Sequence, residues 1–177
     1  MNKRWTFSTL GGLVGAMLFS AWMALPAPAS AEPDWPFNTR GARQTWSTNV
    51  FSEAGFADQC TAYALDRMHE ATGLWMKVSG HAYGWPREAR AAGWAVGAAP
   101  SINSVMVMSP APGYKYDIRQ LNGLRYKTAM HPLGHVAWVE KIDGDWALIR
   151  DQNWRRGAID SRWVMIKGAP IQYIYAS

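Results

Sequence analysis

Apolar and polar positions alternate most cleanly in Gly134-His135-Val136-Ala137-Trp138-Val139-Glu140, where β-branched and aromatic residues recur at strand spacing; the pattern predicts a strand beginning at His135. Asp143-Gly144 reads as a hairpin turn, and Trp146 to Ile149 with Arg150-Asp151-Gln152-Asn153-Trp154 as the returning strand. After Pro100, the apolar run Ser104 to Met108 predicts a buried strand.

A second pattern has helical spacing. In Gly55-Phe-Ala-Asp58-Gln59-Cys60-Thr-Ala-Tyr-Ala-Leu-Asp-Arg67 and the residues that follow, Ala62, Leu65 and Met68 form one apolar stripe, which Met76 joins if the helix runs past Gly73. Asp58 is the expected N-cap and Gly73 the expected left-handed C-cap. Cys60 then lies in the first turn, where the helix dipole favours a thiolate.

The remaining chain is read more coarsely. Lys3 and Arg4, an apolar run from about Leu10 to Leu25 and the small-residue site Ala29-Ser30-Ala31 predict a signal peptide over 1–31, cleaved after Ala31. Residues 32–52 form an extended lead-in, and 53–177 a single catalytic-sized domain. The glycine- and aromatic-rich stretch Ser79 to Pro86 is expected to line a cleft. Arg87 to Trp94 predicts a short helix stopped by Gly93. Ser109 to Leu133, with a possible strand at Leu124 to Thr128, is expected to leave the sheet as a hairpin or lid.

Composition changes this picture in two ways. The net charge is +5, and removing Lys3 and Arg4 leaves 16 − 13 = +3. That favours an anionic polymer such as a cell wall and is too weak to imply nucleic acid. The chain has one cysteine. In an oxidising compartment a thiol without a partner is a liability unless it is used.

Used as a nucleophile, Cys60 needs a base within hydrogen-bond reach and a third group that orients the base. Of the four histidines, His69 points away from residue 60 by helical spacing, and His81 and His131 fall in loops. His135 is left. Hairpin parity decides its neighbours: an odd-length loop puts Asp151 and Asn153 on its face, an even-length loop Gln152. A three-residue loop ending at Gly144 is the expectation, setting Asp151 opposite His135. On the residues alone, two alternatives stay open: Cys60 as a small buried hydrophobe and His135 as a core histidine satisfied by a carbonyl. A metal hydrolase fits poorly, because Cys60, His81, His131 and His135 show no ligand spacing.

Together, Asp58-Gln-Cys60-Thr-Ala-Tyr63, Trp85 to Ala89, Gly93, Val96, Pro100, Val105 to Val107, Gly134-His-Val-Ala137 and Asp151-Gln-Asn153-Trp154 resemble the CHAP family, cysteine- and histidine-dependent amidohydrolases and peptidases. The resemblance runs from about Gly55 to the Ile171–Tyr175 ending. It implies a papain-like α+β fold, with the cysteine helix packed on an antiparallel sheet that carries the histidine. It implies cleavage of peptidoglycan, at the amide joining sugar to stem peptide or within the peptide. By position Cys60 matches the nucleophile, His135 the base, Asp151 the usual glutamate and Asn153 a further polar residue.

The expected mechanism is a thioester pathway in a cleft walled by Tyr83, Trp85 and Trp154. The oxyanion meets the Cys60 backbone N–H and the Gln59 side chain, and no cofactor or metal is required. The expected protein is a secreted monomer, extracellular or periplasmic, acting on peptidoglycan or muropeptides, without nucleic acid or stable membrane insertion. A non-catalytic wall-binding or inhibitor module, and an acyltransferase on the same thioester, are the alternatives. Three departures from the family stand out: Asn103-Ser104 replaces a glycine-aspartate pair, Ser109 to Leu133 is longer than usual, and Asp151 is one methylene shorter than glutamate, leaving Asn153 as a second candidate to orient His135.

Overall fold

The computed structural model describes residues 42–176, which fall in one compact unit, Trp35–Ser177. The signal-peptide reading of 1–31 and the start of the lead-in lie outside the described residues. The described end of the lead-in is more structured than expected. Strand β1 (Thr45–Trp46) pairs with β2 (Trp75–Met76), and a one-turn helix, α1 (Val50–Glu53), follows Asn49. Buried Asn49 caps α1 through Oδ1 and donates from Nδ2 to Ala62 O (2.9 Å) and Asp66 Oδ1 (2.7 Å). One amide therefore fastens the lead-in to the cysteine helix.

That helix, α2 (Cys60–Thr72), buries Ala62, Ala64, Leu65 and Met68 and stops at Gly73, whose φ of 72° is left-handed. The N-cap is Gln59 rather than Asp58, because the Asp58 carboxylate accepts from the Gln59 side chain (2.9 Å) instead of a helix N–H. Met76 lies in β2, beyond the helix, yet still reaches the core that α2 covers. A 3₁₀ turn (Ala82–Gly84) leads into α3 (Trp85–Ala91), which starts two residues before the predicted Arg87 because Pro86 suits the first helical turn.

The strands follow as β3 (Val96–Gly97), β4 (Ser104–Met108), β5 (Tyr116–Gln120), β6 (Arg125–Thr128), β7 (His135–Asp143), β8 (Trp146–Gln152), β9 (Ile159–Met165) and β10 (Ile171–Tyr175). Among the described residues, these make one antiparallel sheet in the order β3-β10-β4-β7-β8-β9-β5-β6. The fold is α+β, as expected. Ser109 to Leu133 does form a hairpin, but it extends the sheet instead of leaving it: β5 pairs with β9. Tyr116 and Ile118, buried at strand spacing, hold it there, and the Tyr116 hydroxyl donates to Ser109 O (2.8 Å).

The central strands are buried on both faces. Val105, Val107, Val136 and Trp138 face α2 and α3, whereas Met106, Met108, Ala137 and Val139 face a second core shared with Ile149, Val164 and Ile118. Burying each large apolar side chain contributes about 1.5–3 kcal/mol. Ala137 and Val139 of β7 and Ala147 and Ile149 of β8 line the second core, so His135 and Asp151, at the same spacing, arrive at its end on one face.

The hairpin reaches this result by an unexpected route. Asp143 pairs with Trp146, leaving a two-residue loop at Gly144-Asp145, the even-length case. A bulge between Val139 and Lys141 adds one unpaired residue, Glu140, and restores the odd parity beyond it. Trp138 then faces Arg150, and Asp151 returns to the face of His135.

Gly134 sets the entry to β7. Its φ is 74°, and a Cβ there would lie 2.8 Å from Tyr83 N and 3.2 Å from Met108 O. Gly134→Ala should cost about 2–5 kcal/mol, the sum of about 1–2 for left-handed backbone and about 1–3 for crowding. Urea unfolding measures this; a loss under half a kcal/mol contradicts the close approach.

Candidate active site

The site forms where the start of α2 meets the starts of β7 and the loop after β8. Cys60 is the first residue of α2, and Gln59 makes no side-chain cap, so the N–H groups of the first turn are not taken up by a capping oxygen. His135 opens β7 and is buried; Asp151 has no exposed surface. The His135 Nε2 lies 3.0 Å from Asp151 Oδ2. The ring N–H does not point along that line, so the contact is a close ion pair rather than an aligned hydrogen bond. With Nε2 turned to Asp151, Nδ1 is the nitrogen left for the thiol.

Charge is shifted toward a thiolate–imidazolium pair. Burial pushes the Cys60 thiol up, but the hydrogen bond from His135, its charge and the Val136 backbone amide outweigh burial, and the thiol falls below its ordinary value. Burial works against the His135 cation, yet contacts with Asp151 and Cys60 prevail and push it up to about 9. Each partner stabilises the charged form of the other.

Asn153 does not touch His135. It holds a left-handed backbone (φ 65°), donates from Nδ2 to Gln59 Oε1 (2.6 Å) and accepts from Gly157 N (3.0 Å). Its role in the geometry is to fix Gln59, whose amide nitrogen also donates to Asp58. Of the two groups considered for orienting His135, Asp151 is the one in contact.

Trp154 stands edge-on to the His135 ring (centroids 5.0 Å, 83°) and lines the cleft. The other two expected walls differ. Trp85 is wholly buried, packed against Phe51 in the helix-side core, because it faces inward from the first turn of α3. Tyr83 is half-exposed beside the cleft and is not part of its lining. The cleft, of about 940 Å³, is walled instead by Phe51, Phe56, Met130, His131 and Leu133 around Cys60 and His135.

Sequence reading missed two features. The strip Thr128 to Leu133 looks like loop in sequence but becomes a wall because the β5–β6 hairpin carries it to the site. Arg162 is the other: its side chain is 4% exposed, and its Nη1 contacts Asp151 Oδ2. The signal was the alternation Arg162-x-Val164 in β9, which places the arginine on the core face opposite Ile149.

The family model for the CHAP domain matches residues 49–153. A protein described as probable autolysin SsaALP, from Staphylococcus aureus, is 26% identical over 137 residues, covering 77% of this chain and 44% of the relative. This chain thus spans less than half the length of that relative. The crystal structure of an N-acetylmuramoyl-L-alanine amidase from Staphylococcus aureus superposes with a TM-score of 0.52 at 24% identity, covering 68% of this chain and 31% of the other, a likeness of fold.

The ion pair makes a pH prediction. Because the folded value of His135 is raised from 6.5 to about 9, its contribution to stability is fully present below pH 6.5 and is lost as pH rises through 9. Thermal melts should therefore show a fall in Tm between those limits, and Asp151→Asn should flatten it. An unchanged slope in the variant contradicts the assignment.

Proposed function

The chain belongs to the CHAP domain family, and from that premise we propose that it is a cysteine hydrolase cleaving amide bonds in bacterial peptidoglycan. The observation that carries this reading is one contact set. Cys60 sits at a helix start, His135 is in hydrogen-bonding contact with it and both open on a cleft, and a fully buried carboxylate, Asp151, lies behind the imidazole. The names of the autolysin relative and the amidase neighbour point the same way.

The chemistry follows from that set. The Cys60 thiolate attacks the amide carbonyl, forming a C–S bond and an oxyanion. The Cys60 backbone N–H, at the positive end of α2, and the remaining N–H of the Gln59 amide are the donors for that charge, a kind of contact worth about 3 kcal/mol of barrier. Imidazolium His135 gives its proton to the leaving nitrogen as the C–N bond breaks. His135 then takes a proton from water, which attacks the thioester and releases the acid and the thiolate. Asp151 keeps the ring oriented throughout and stabilises its cationic form.

The walls bear on the substrate. Phe51, Phe56, Met130 and Leu133 offer apolar contact and no carboxylate lines the cleft among the described residues, so an anionic stem peptide meets no like charge. No described helix is long and apolar enough to cross a membrane. With the signal peptide removed after Ala31, the mature protein would act outside the cytoplasm as a monomer on its wall substrate.

Digestion of purified peptidoglycan by the mature protein and by Cys60→Ala tests this reading. The wild type should release fragments whose new ends, by mass, name the bond as sugar–peptide or peptide–peptide. Binding by both proteins with release by neither would give the site to a non-catalytic wall-binding module, and release joined to an added amine would mark transfer. Asn153→Ala should lower kcat by roughly 10- to 100-fold, by freeing Gln59, with little change in KM; an unchanged kcat removes Gln59 from the oxyanion site.

A further inference from the structure

Behind the Cys60–His135 pair lies a second buried charge that the hydrolytic steps do not use. Arg162, on β9, contacts Asp151 through Nη1, approaches Asp160 Oδ2 through Nη2 (3.7 Å), and lies over the Trp154 ring at 4.6 Å. Asp160 is in turn gripped by both prongs of Arg155 (2.8 and 2.7 Å). Charges thus alternate from His135 through Asp151, Arg162 and Asp160 to Arg155 at the surface.

We propose that Arg162 is a positioning residue of this site, which holds the Asp151 carboxylate turned to His135 while offsetting part of its charge as felt at Cys60. The argument rests on what Asp151 needs. A carboxylate with no exposed surface is costly unless it is paired. His135 alone cannot serve as that partner, since its charge comes and goes as it passes a proton. Arg162 does not lose its proton. It is also held in place, with its guanidinium over the ring of Trp154, whose indole N–H donates to Tyr126 OH (3.0 Å).

The benefit reaches the sulfur. Asp151 helps His135 stay cationic but opposes the thiolate, the one cost of a carboxylate here. A permanent cation on the far side of the same oxygen reduces that opposition and leaves the orientation intact. The charged groups acting on Cys60 are His135 from β7 and Asp151 from β8; Arg162 and Asp160 on β9 stand behind Asp151, Asp58 is bonded to the neighbouring Gln59, and His81 and His131 line the cleft. Of these, only Arg162 is a constant positive charge beside Asp151.

This inference rests on Cys60 being the nucleophile, and its test needs no wall substrate. Cys60 is the only thiol and lines the cleft, so the rate of its alkylation by iodoacetamide against pH reports its thiolate directly. Arg162→Met and Arg162→Gln should raise the midpoint by about one pH unit, which is about tenfold slower alkylation at a fixed pH on the acid limb. Arg162→Lys should keep the midpoint within about 0.3 unit, since the charge remains. In an Asp151→Asn background the effect of Arg162→Gln should shrink to under about 0.3 unit, because the arginine acts through the carboxylate. A folded neutral variant with an unmoved midpoint, or a folded Arg162→Lys displaced as far as the neutral variants, overturns the proposal. Peptidoglycan digestion run alongside keeps the two readings separate: a wild type that shows the alkylation shifts but releases no fragments sinks the hydrolase and leaves Arg162 standing.

Discussion

A carboxylate sealed from solvent must be held by cations, and Asp151 is held by two on a single oxygen, His135 and Arg162. The rest of the site is arranged around that constraint. The oxygen draws the imidazole ring to one orientation, which leaves the other ring nitrogen for Cys60. The same carboxylate pins β9 to β8 at the end of the second core, where a polar cluster closes an otherwise apolar interior. The sheet thus ends in a charged network whose last member on one side is the histidine and on the other a surface arginine.

Asn153 and Asp151 divide the work that sequence alone leaves undivided. They are two residues apart, Asp151 on β8 and Asn153 just past its end, and both would be drawn beside His135 in a simple hairpin. After Gln152 the chain turns, Asn153 takes a left-handed backbone, and its side chain crosses to Gln59. A strained residue held by three hydrogen bonds is a stiff support. One residue of the pair thus serves His135, and the other Gln59, which precedes Cys60.

Much of this was legible from residues, and the reasons for the exceptions are physical. The Cys60 helix, the His135 strand and the apolar run from Ser104 to Met108 follow from periodicity, because each is long enough for the pattern to outweigh local noise. Asp58 failed as a cap because Gln59 offered its carboxylate a nearer donor. Trp85 was read as a wall from the glycines and aromatics around it, but its burial depends on how α3 docks, which no local pattern encodes. Arg162 escapes notice for a related reason: its alternation with Val164 points inward, but an arginine in an alternating strand is normally solvent-facing, and only a buried carboxylate on the neighbouring strand makes the inward position tenable.

The β7–β8 hairpin shows how the fold stores its register. Turns between strands usually accept a residue more or less without consequence for the core. Here the turn at Gly144-Asp145 and the bulge at Glu140 form a parity pair, and the face presented by Asp151 is the product of both. Deleting Glu140 alone would leave a regular hairpin in which Val139 still faces Ile149 and Asp151 keeps its face, whereas a hairpin that drew Glu140 into a regular ladder would deliver Gln152 to the histidine. The chain can therefore lose its bulge residue without moving Asp151, whereas a single residue added within β8 before Asp151 would turn it to the other face unless a second bulge absorbed it, so descendants should vary in length at Glu140 before they vary elsewhere along the two strands.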